Sequence, residues 1–428
     1  MKLKVFDGNE LSFFKVYVII YTDILIFVAT NTEDCIFCYR KDICRKGKQM
    51  DLVGGVTTEQ TYGLVEKELI GNSNDNLLIH GENLKVLTKL YESYKNSIKC
   101  IYLDPPYNTC NEFEYFEDSL SHDDWLTMMK PRLELLWEFL CDEGTIWISI
   151  DDEECHYLKI LCDNLWGRDK FITMIVRQKN DAPRNYKRRK VVHMQDYVLI
   201  YSKNLDKCCI NEVSIGYLKN YFVKDEDQEW IPDSMLKQYS EKDGTRFQYK
   251  ITTPSGKELY PPYGRQWSVD ADEYRQLLLN NQLWFGKLGD EYPCRKRFAS
   301  ENSILPPTSL WTSDMVGSNQ EARLEVCAFN HQEFFYVPKP EKFIQLILAI
   351  ATNEDDIVLD AFLGSGTTAA VAMKMKRRWI GIEKGKQCEE FCLPRLKSVV
   401  AGESGGISQS VDWKGGSGFK YLIDIGNK

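Results

Sequence analysis

The sequence predicts an α/β fold built on a mostly parallel, twisted sheet with an antiparallel strand. Two stretches of the chain, residues 77–201 and 341–399, alternate short apolar runs of strand length with longer amphipathic segments of helix length. Such alternation is typical of βαβ units, in which helices cover both faces of a parallel sheet. In each stretch, one apolar run ends in a short motif that is rich in proline or glycine. Both motifs are therefore expected at the carboxyl edge of the sheet, where α/β proteins bind their ligands.

The boundaries of the elements follow from hydrophobic periodicity and from turn residues. In the segment 122–141, apolar residues such as Trp125 and Leu133 recur on one helical face, and Asp123 lies in the first turn, where the helix dipole favours it. Gly144 is expected to end this helix. The predicted strands are 77–80, 98–103, 145–150, 171–177, 196–201, 357–362, 379–383 and 419–425. The predicted helices are 82–95, 122–141, 153–165, 341–352, 366–375 and 389–399.

The chain divides into four predicted segments. Residues 1–75 form an N-terminal extension of unknown role, which ends in a polar, turn-forming stretch at 71–76. Residues 76–203 and 336–428 form the two halves of the α/β domain. Residues 204–335 form a lobe in which prolines and aromatic residues interrupt any regular pattern. A long irregular insert of this kind usually reads the substrate, although a structural appendage fits the same pattern.

Residues 11–30 are strongly apolar, which raises the alternative of a membrane span. Lys15 and Asp23 interrupt the run, and a charge near the centre of a span costs about 2.5–3.5 kcal/mol. The β-branched and aromatic residues favour two buried strands that flank Thr22 and Asp23. We therefore predict two strands here and no association with a membrane.

The 14 cysteines are scattered, and no secretory signal precedes them. They are typical of the reduced thiols of a cytoplasmic protein. Cys35 and Cys38 have the spacing of a zinc knuckle, and Cys44 lies nearby. A second Cys pair or a His pair at a suitable distance is missing, so thiols without a metal are the prediction and a zinc site is the alternative.

The formal net charge is −9, which does not fit a protein that coats itself in nucleic acid. A DNA-binding enzyme with this balance must concentrate its basic residues on one face. Basic clusters occur at 184–190, 295–297 and 374–378. Each of them taken alone is more simply explained as a solvated surface.

Residues 357–368 combine a buried strand, a glycine turn and a helix start in the sequence Ile-Val-Leu-Asp-Ala-Phe-Leu-Gly-Ser-Gly-Thr-Thr. Gly364 and Gly366 let a ligand approach the backbone, and the free N–H groups of a helix start attract an anion. The turn also fits the dinucleotide fingerprint, and Glu383 at the end of the next strand suits ribose hydroxyls in either case. A P-loop is disfavoured because no Lys-Ser or Lys-Thr pair closes the turn. A tight turn without a ligand is the structural alternative.

The second motif, residues 104–109, reads Asp-Pro-Pro-Tyr-Asn-Thr and directly follows the strand 98–103. Two consecutive prolines make a stiff corner without N–H groups, which leaves carbonyl oxygens free to accept hydrogen bonds. Asp104 adds a charged acceptor and Tyr107 adds a flat face. Together these groups can hold an aromatic amine, whose hydrogens point at the Asp104 carboxylate and the Pro105 carbonyl while its ring stacks on Tyr107.

The chain resembles the amino methyltransferases of the β arrangement, in which the catalytic half precedes the cofactor half. More narrowly, it resembles the modification (Mod) subunits of type III restriction–modification systems. The resemblance runs from about residue 77 to 425, on both sides of the central lobe. The matching segments are 77–84, 104–109, 144–152, 261–267, 284–287, 317–322, 338–342 and 360–368. Glu82 stands where the family usually has Asp, and the central lobe is short for a Mod subunit.

The resemblance implies a Rossmann-like fold of the methyltransferases that use S-adenosyl-L-methionine, and it implies roles for named residues. The catalytic motif corresponds to Asp104, Pro105, Pro106 and Tyr107. The cofactor site corresponds to Asp360, Phe362, Gly364, Ser365, Gly366, Thr367, Thr368, Glu383, Lys339 and Pro340. Within that set, Glu383 is the acidic residue on the ribose, and Lys339 with Pro340 belongs to the segment that closes over the methionine end. No metal is implied.

The function implied by the resemblance is site-specific methylation of the N6 amine of adenine in double-stranded DNA, in a restriction–modification system or by a solitary enzyme. The target base is expected to be flipped out of the duplex. The expected partners are DNA, a second copy of the chain and a restriction subunit. The main alternative product is N4-methylcytosine. A nicotinamide-dependent oxidoreductase, a methyltransferase acting on RNA or protein, and a non-catalytic DNA-binding subunit remain further alternatives.

Overall fold

The computed structural model describes most of the chain from residue 63 onwards and the backbone of several strands before it. The fully described residues are 63–72, 75–109, 118–181, 191–213, 230–298, 306–329 and 337–426. For residues 2–7, 10–21, 24–31, 34–38, 214, 223–224, 229 and 304–305 the description covers the strand backbone alone. The chain separates into two compact units, residues 1–59 and residues 60–428.

The N-terminal unit contains a four-stranded antiparallel sheet in which each strand pairs with the next. Its strands are β1 (Lys2–Asp7), β2 (Glu10–Tyr21), β3 (Ile24–Asn31) and β4 (Asp34–Cys38). The prediction of two strands on either side of Thr22 and Asp23 is confirmed by β2 and β3. Cys35 and Cys38 lie on β4, whereas Cys44 falls outside the described residues.

The first half of the second unit follows the predicted alternation closely. The elements of this half are β5 (Leu64–Gly71), β6 (Leu77–His80), α1 (Asn83–Tyr94), β7 (Ile98–Leu103), α2 (His122–Phe139), β8 (Leu140–Ile150), α3 (Cys155–Trp166), β9 (Phe171–Gln178) and β10 (Gln195–Ser202). Glu82 caps α1, because its carboxylate accepts hydrogen bonds from the backbone N–H groups of Leu84 and Lys85.

The central segment consists of short strands and one longer helix around a small apolar cluster that includes Met235, Trp267 and Leu277. Its strands are β11 (Val213–Ser214), β12 (Val223–Lys224), β13 (Glu229–Ser234), β14 (Leu236–Gln238), β15 (Ile251–Thr252), β16 (Glu258–Leu259), β17 (Arg265–Trp267), β18 (Leu283–Trp284), β19 (Cys294–Phe298), β20 (Ile304–Leu305) and β21 (Leu310–Trp311). Its described helices are α4 (Ala271–Leu279) and a short 3-10 turn (Glu241–Asp243).

The second α/β half also agrees with the predicted order. Its elements are α5 (Ser313–Val316), α6 (Asn319–Cys327), α7 (Glu341–Ala351), β22 (Ile357–Asp360), α8 (Thr367–Lys374), β23 (Arg378–Glu383), a π-helical turn (Cys388–Cys392), α9 (Leu393–Val400) and β24 (Gly418–Asp424). No helix among the described residues combines the length and the apolar character that crossing a bilayer requires.

Nine strands of the two halves and β21 of the central segment form one sheet in the order β21-β9-β10-β8-β7-β22-β23-β6-β24-β5. The six strands from β8 to β24 in this order are parallel, whereas β10 and β5 run antiparallel to them. Alternate residues of each central strand enter separate apolar clusters: Leu78 packs with α7, α8 and α9, and Ile79 packs with α1, α2 and α3. Because both faces are covered, the middle positions of these strands are mostly apolar.

Three boundaries differ from the predicted ones. The two compact units divide after Glu59 instead of near residue 75, because Leu64–Gly71 pairs with β24 at the edge of the large sheet. The central segment ends before residue 335, since Leu310–Trp311 joins the same sheet beside β9. Gly144 does not end α2 but lies inside β8, where a side chain would meet the Ile98 carbonyl. Each difference depends on pairing with a distant strand, which local periodicity does not report.

A buried ionic cluster joins the helices α6, α7, α8 and α9. The Glu341 carboxylate lies 2.6 Å from Lys374 Nζ and 2.8 Å from an Arg395 guanidinium nitrogen. Lys374 also pairs with Glu403, and burial together with Glu341 raises the pKa of Glu325 to about 7. Lys374, which belongs to a predicted basic cluster, is therefore not a surface residue.

Lys374→Met should destabilise the protein strongly, because it keeps the aliphatic volume but leaves a buried carboxylate short of one cation. Breaking a buried ion pair costs about 3–5 kcal/mol. Lys376→Met is the matched control: Lys376 is 70% exposed and pairs with Glu354 on the surface, where an ion pair contributes about 1 kcal/mol or less. Urea unfolding of both variants measures the difference. Equal losses would show that the buried cluster does not stabilise the fold.

Candidate active site

The motif at residues 104–109 begins where β7 ends, at the carboxyl edge of the sheet. Trp125 on α2 donates a hydrogen bond of 2.8 Å from its indole N–H to the Pro106 carbonyl. Asp118 accepts hydrogen bonds from the backbone N–H groups of Asn108 and Thr109 at 2.8 and 3.0 Å. Asn108 has a φ of 60°, which lets the chain turn away after Tyr107. The loop is therefore fixed from both sides, and Asp118 is a residue that sequence reasoning missed.

Asp104 forms an ion pair that the sequence did not reveal. The Lys339 ammonium lies 2.5 Å from each carboxylate oxygen of Asp104. The same ammonium lies over the Tyr107 ring, 5.0 Å from its centroid. The Lys339 side chain is only 5% exposed. Its ammonium thus contacts two residues of the motif at 104–109, a contact that the expected cofactor role of Lys339 did not predict.

The Tyr107 hydroxyl is buried and has no hydrogen-bond partner among the described residues. Burial raises the pKa of this hydroxyl well above its usual value, and the Asp104 charge raises it further. Tyr107 is therefore neutral at physiological pH.

The glycine turn follows β22 and is held by carboxylates at both ends. Asp360 accepts a hydrogen bond of 2.9 Å from the Phe362 N–H, and Glu383 accepts one of 2.6 Å from the Gly364 N–H. Gly366 precedes α8 with a φ of 83°, and a side chain there would come within 3.3 Å of the Cys392 backbone. Glycine is required at this position for both reasons.

Contacts behind the turn tie it to the segment that carries Lys339. The Thr367 hydroxyl donates a hydrogen bond of 3.1 Å to the Lys339 carbonyl and accepts one of 2.7 Å from Arg395. Ser365 lies beside Thr367, with 3.2 Å between the hydroxyl oxygens. Pro340 precedes the first residue of α7. The backbone at residues 339–340 is thereby fixed against the turn.

Acidic groups dominate the electrostatics of the site. Burial raises the pKa of Asp360 from 3.8 to about 7, and the neighbouring charges of Asp104 and Glu383 act in the same direction. Burial also raises the pKa of Glu383, while hydrogen bonds from backbone N–H groups and Gln387 oppose the rise. A cationic ligand would relieve this repulsion between carboxylates.

One pocket of about 290 Å³ contains both motifs. All predicted site residues line it except Gly366 and Pro340, which support it from behind. Residues to which the sequence assigned no role also line the pocket, at both of its ends. Gln387 lies at the end with the glycine turn, and its buried Oε1 has no hydrogen-bond partner among the described residues. At the other end, beyond Asp104, the lining residues are Asp151, Lys179, Asp196 and Asn319.

A fully buried arginine orders the wall beyond Asp104. Arg177 donates to Asp196 Oδ2 at 3.1 Å and to Asn319 Oδ1 at 3.1 Å. The other Asp196 oxygen is buried without a partner among the described residues. The sequence signals for this wall were the matching segments 144–152, which contains Asp151, and 317–322, which contains Asn319; no role was attached to either.

Comparison of the chain with known proteins identifies the family to which it belongs. Residues 98–392, more than half of the chain, match the model of the N6/N4 methyltransferases, described as DNA methylase. The chain belongs to this DNA methylase family. The resemblance and the fold class predicted from the sequence are confirmed. Both motifs of the pocket lie inside the matched region of this DNA methylase.

Several curated relatives of this DNA methylase are Mod subunits, among them the two that follow. It is 31% identical to the probable type III restriction–modification enzyme HindVI Mod subunit of Haemophilus influenzae, covering 85% of this chain and 56% of the relative. It is 30% identical to the StyLTI Mod subunit of Salmonella typhimurium, covering 78% and 57%. The chain thus spans a little over half the length of these relatives. Among solved structures, the PvuII DNA methyltransferase (cytosine-N4-specific) is 13% identical, with a TM-score of 0.46 over 81% of this chain and 94% of that one.

Asp360→Asn tests the electrostatics of the site through pH. The raised pKa means that the folded protein binds this proton more tightly than the unfolded chain, so the carboxyl destabilises the fold increasingly as pH rises from about 4 to about 7. The asparagine variant lacks this penalty. The free energy of unfolding of both proteins is measured in urea between pH 5 and pH 8. That of the variant should rise relative to that of the wild type by up to about 1.4 kcal/mol per pH unit. A constant difference across this range would contradict the assignment.

Proposed function

We propose that this DNA methylase transfers a methyl group from S-adenosyl-L-methionine to the N6 amine of adenine in double-stranded DNA, at a specific site. The observation that carries the proposal is the single pocket in which Asp104 and Tyr107 face the glycine turn and Glu383. One end of this pocket suits an aromatic amine, and the other suits a nucleoside that bears a positive charge.

The cofactor end offers the acceptors that a ribose needs. Glu383 Oε1 already accepts hydrogen bonds from the backbone N–H groups of Lys384 and Gly385 and from Gln387, whereas within the described part of the chain Oε2 accepts only the one from Gly364. Glu383 Oε2 and the unpartnered Gln387 Oε1 are therefore available for ribose hydroxyls. The carboxylates Asp104 and Asp360 favour a cationic sulfonium nearby. S-adenosyl-L-methionine would supply the electrophilic methyl group.

The base end provides the amine's partners. A target adenine must leave the duplex to reach Asp104, since the motif lies inside the pocket. The Asp104 carboxylate and the Pro105 carbonyl would accept the two amine hydrogens, and Tyr107 would stack on the ring. Fixed acceptors stabilise the positive charge that develops on nitrogen during the transfer. The polar wall around Asn319, beyond Asp104 and away from β22, would face the ring of the base.

Adenine is proposed as the target because the motif begins with Asp104, and because the relatives that are at least 30% identical over more than three quarters of this chain are Mod subunits. A carboxylate is a stronger acceptor than the hydroxyl of the serine that cytosine-specific relatives mostly carry at this position. By the same likeness, we propose pairing with a restriction subunit, a homodimer, a cytoplasmic location, and sequence reading by the segment 204–335. The N-terminal unit has no proposed role.

The product itself tests the proposal. Purified protein is incubated with unmethylated DNA and labelled cofactor, and the digested nucleosides are separated by mass. N6-methyldeoxyadenosine should carry the label, and Asp104→Ala should produce none while retaining cofactor affinity in calorimetry. Label in deoxycytidine alone would move the enzyme to the cytosine-N4 alternative.

Tyr107 provides a second test, because its hydroxyl has no partner among the described residues. Tyr107→Phe keeps the ring and should retain most of kcat/KM for DNA. Tyr107→Ala loses the stacking surface and should lower kcat/KM about 5- to 150-fold, since base–aromatic stacking contributes about 1–3 kcal/mol. Equal losses in the two variants would instead identify the hydroxyl as essential.

A further inference from the structure

We propose that the Lys339 side chain occupies the position of the target amine, and that it must withdraw from Asp104 before the base can bind. This inference rests on the proposed function and adds to it a residue that controls access to the base site.

The contacts of the Lys339 ammonium are those assigned to the amine of the target base. Its nitrogen is 2.5 Å from both oxygens of Asp104 and 5.0 Å from the centre of the Tyr107 ring. An ammonium and an exocyclic amine are both nitrogen donors, and both oxygens of the carboxylate already face the ammonium. An ammonium above the Tyr107 ring also covers the face on which a base would stack. The two ligands therefore exclude each other.

The backbone that carries the ammonium is anchored, so the release must be a movement of the side chain alone. The Lys339 carbonyl accepts the hydrogen bond from Thr367 on the glycine turn. Two positions further, Glu341 is held by Lys374 and Arg395 in the buried ionic cluster. The flexible four-carbon stem of a lysine can rotate while these contacts persist.

Charge provides a reason for the withdrawal. The ammonium stays on Asp104 because a side chain that is only 5% exposed needs a partner for its charge. A second positive charge beside Asp104 repels it, since like charges at short range disfavour each other. Lys339 thereby makes the opening of the base site dependent on a cationic ligand near the glycine turn.

The experiment uses a DNA duplex with 2-aminopurine at the target position, which is first located by sequencing methylated DNA. Fluorescence rises when this base leaves the stack and enters the pocket, so it reports occupancy without any turnover. Lys339→Met removes the ammonium and keeps the stem. With protein and DNA alone, the Lys339→Met substitution should raise the apparent affinity for the flipped base about tenfold or more. The reason is that a larger fraction of the protein molecules then has a base site that is free to bind.

Three further variants distinguish exclusion of the base by the Lys339 ammonium from a general effect on the structure. Lys339→Arg keeps a cation that pairs with carboxylates and should behave as the wild type does. Lys342→Met changes a lysine of the same segment that is 49% exposed and pairs with Glu321, and it should also leave the fluorescence unchanged. In an Asp104→Asn background, Lys339→Met should have little further effect, because the ion pair is already broken.

The ligand dependence gives an independent readout. Sinefungin has an ammonium in place of the sulfonium methyl, whereas the thioether of S-adenosylhomocysteine is uncharged. In the wild type, sinefungin should therefore increase the fluorescence more than S-adenosylhomocysteine does. In Lys339→Met the two analogues should act alike. For methyl transfer, the variant should show a lower KM for DNA without a higher kcat.

The outcomes distinguish this inference from the proposed function. If the wild type methylates adenine but Lys339→Met leaves base flipping unchanged or lowers it, Lys339 does not exclude the base and this inference is wrong. The same holds if Lys339→Met mainly weakens binding of S-adenosylhomocysteine, which would assign the lysine to the cofactor. If the wild type yields no methylated base, the proposed function itself fails.

Discussion

The pairing of β7 with β22 is the constraint on which the whole site depends. These strands are far apart in the chain, yet Asp360 aligns with Tyr102 in the parallel ladder. Both strands therefore end at the same edge, and the turns that follow them meet in one pocket. Packing of both sheet faces against helices fixes this register, because a slip by one residue would exchange the side chains that fit the two apolar clusters.

Burial also determines the charge of the pocket. The carboxyls of Asp360 and Glu383 lie inside the protein, where desolvation disfavours their ionised forms. The hydrogen bonds that hold the glycine turn end on the same carboxyls, so backbone geometry and electrostatics cannot be changed separately. A site built in this way suits a positively charged ligand and disfavours an anionic one such as a nucleotide triphosphate.

The segment at residues 339–341 connects three parts of the molecule within one turn of chain. Its lysine contacts the catalytic motif, its carbonyl contacts the glycine turn, and its glutamate contacts the buried ionic cluster. The carbonyl and glutamate contacts fix the backbone of this segment, whereas the lysine side chain extends from it to Asp104. Lys339, which the resemblance assigns to the segment over the cofactor, thus also contacts Asp104.

The sequence by itself determined the strands at 77–80 and 98–103, the helix after the glycine turn, and the membership of Asp104, Tyr107 and Glu383 in one site, because these depend on local periodicity and on motifs. Only the tertiary structure decided the Lys339–Asp104 ion pair, the wall that Arg177 orders, the burial of Lys374, and the inclusion of Leu64–Gly71 in the large sheet. These features are pairings between distant parts of the chain. Their partners are selected by packing and desolvation, which no short stretch of residues records.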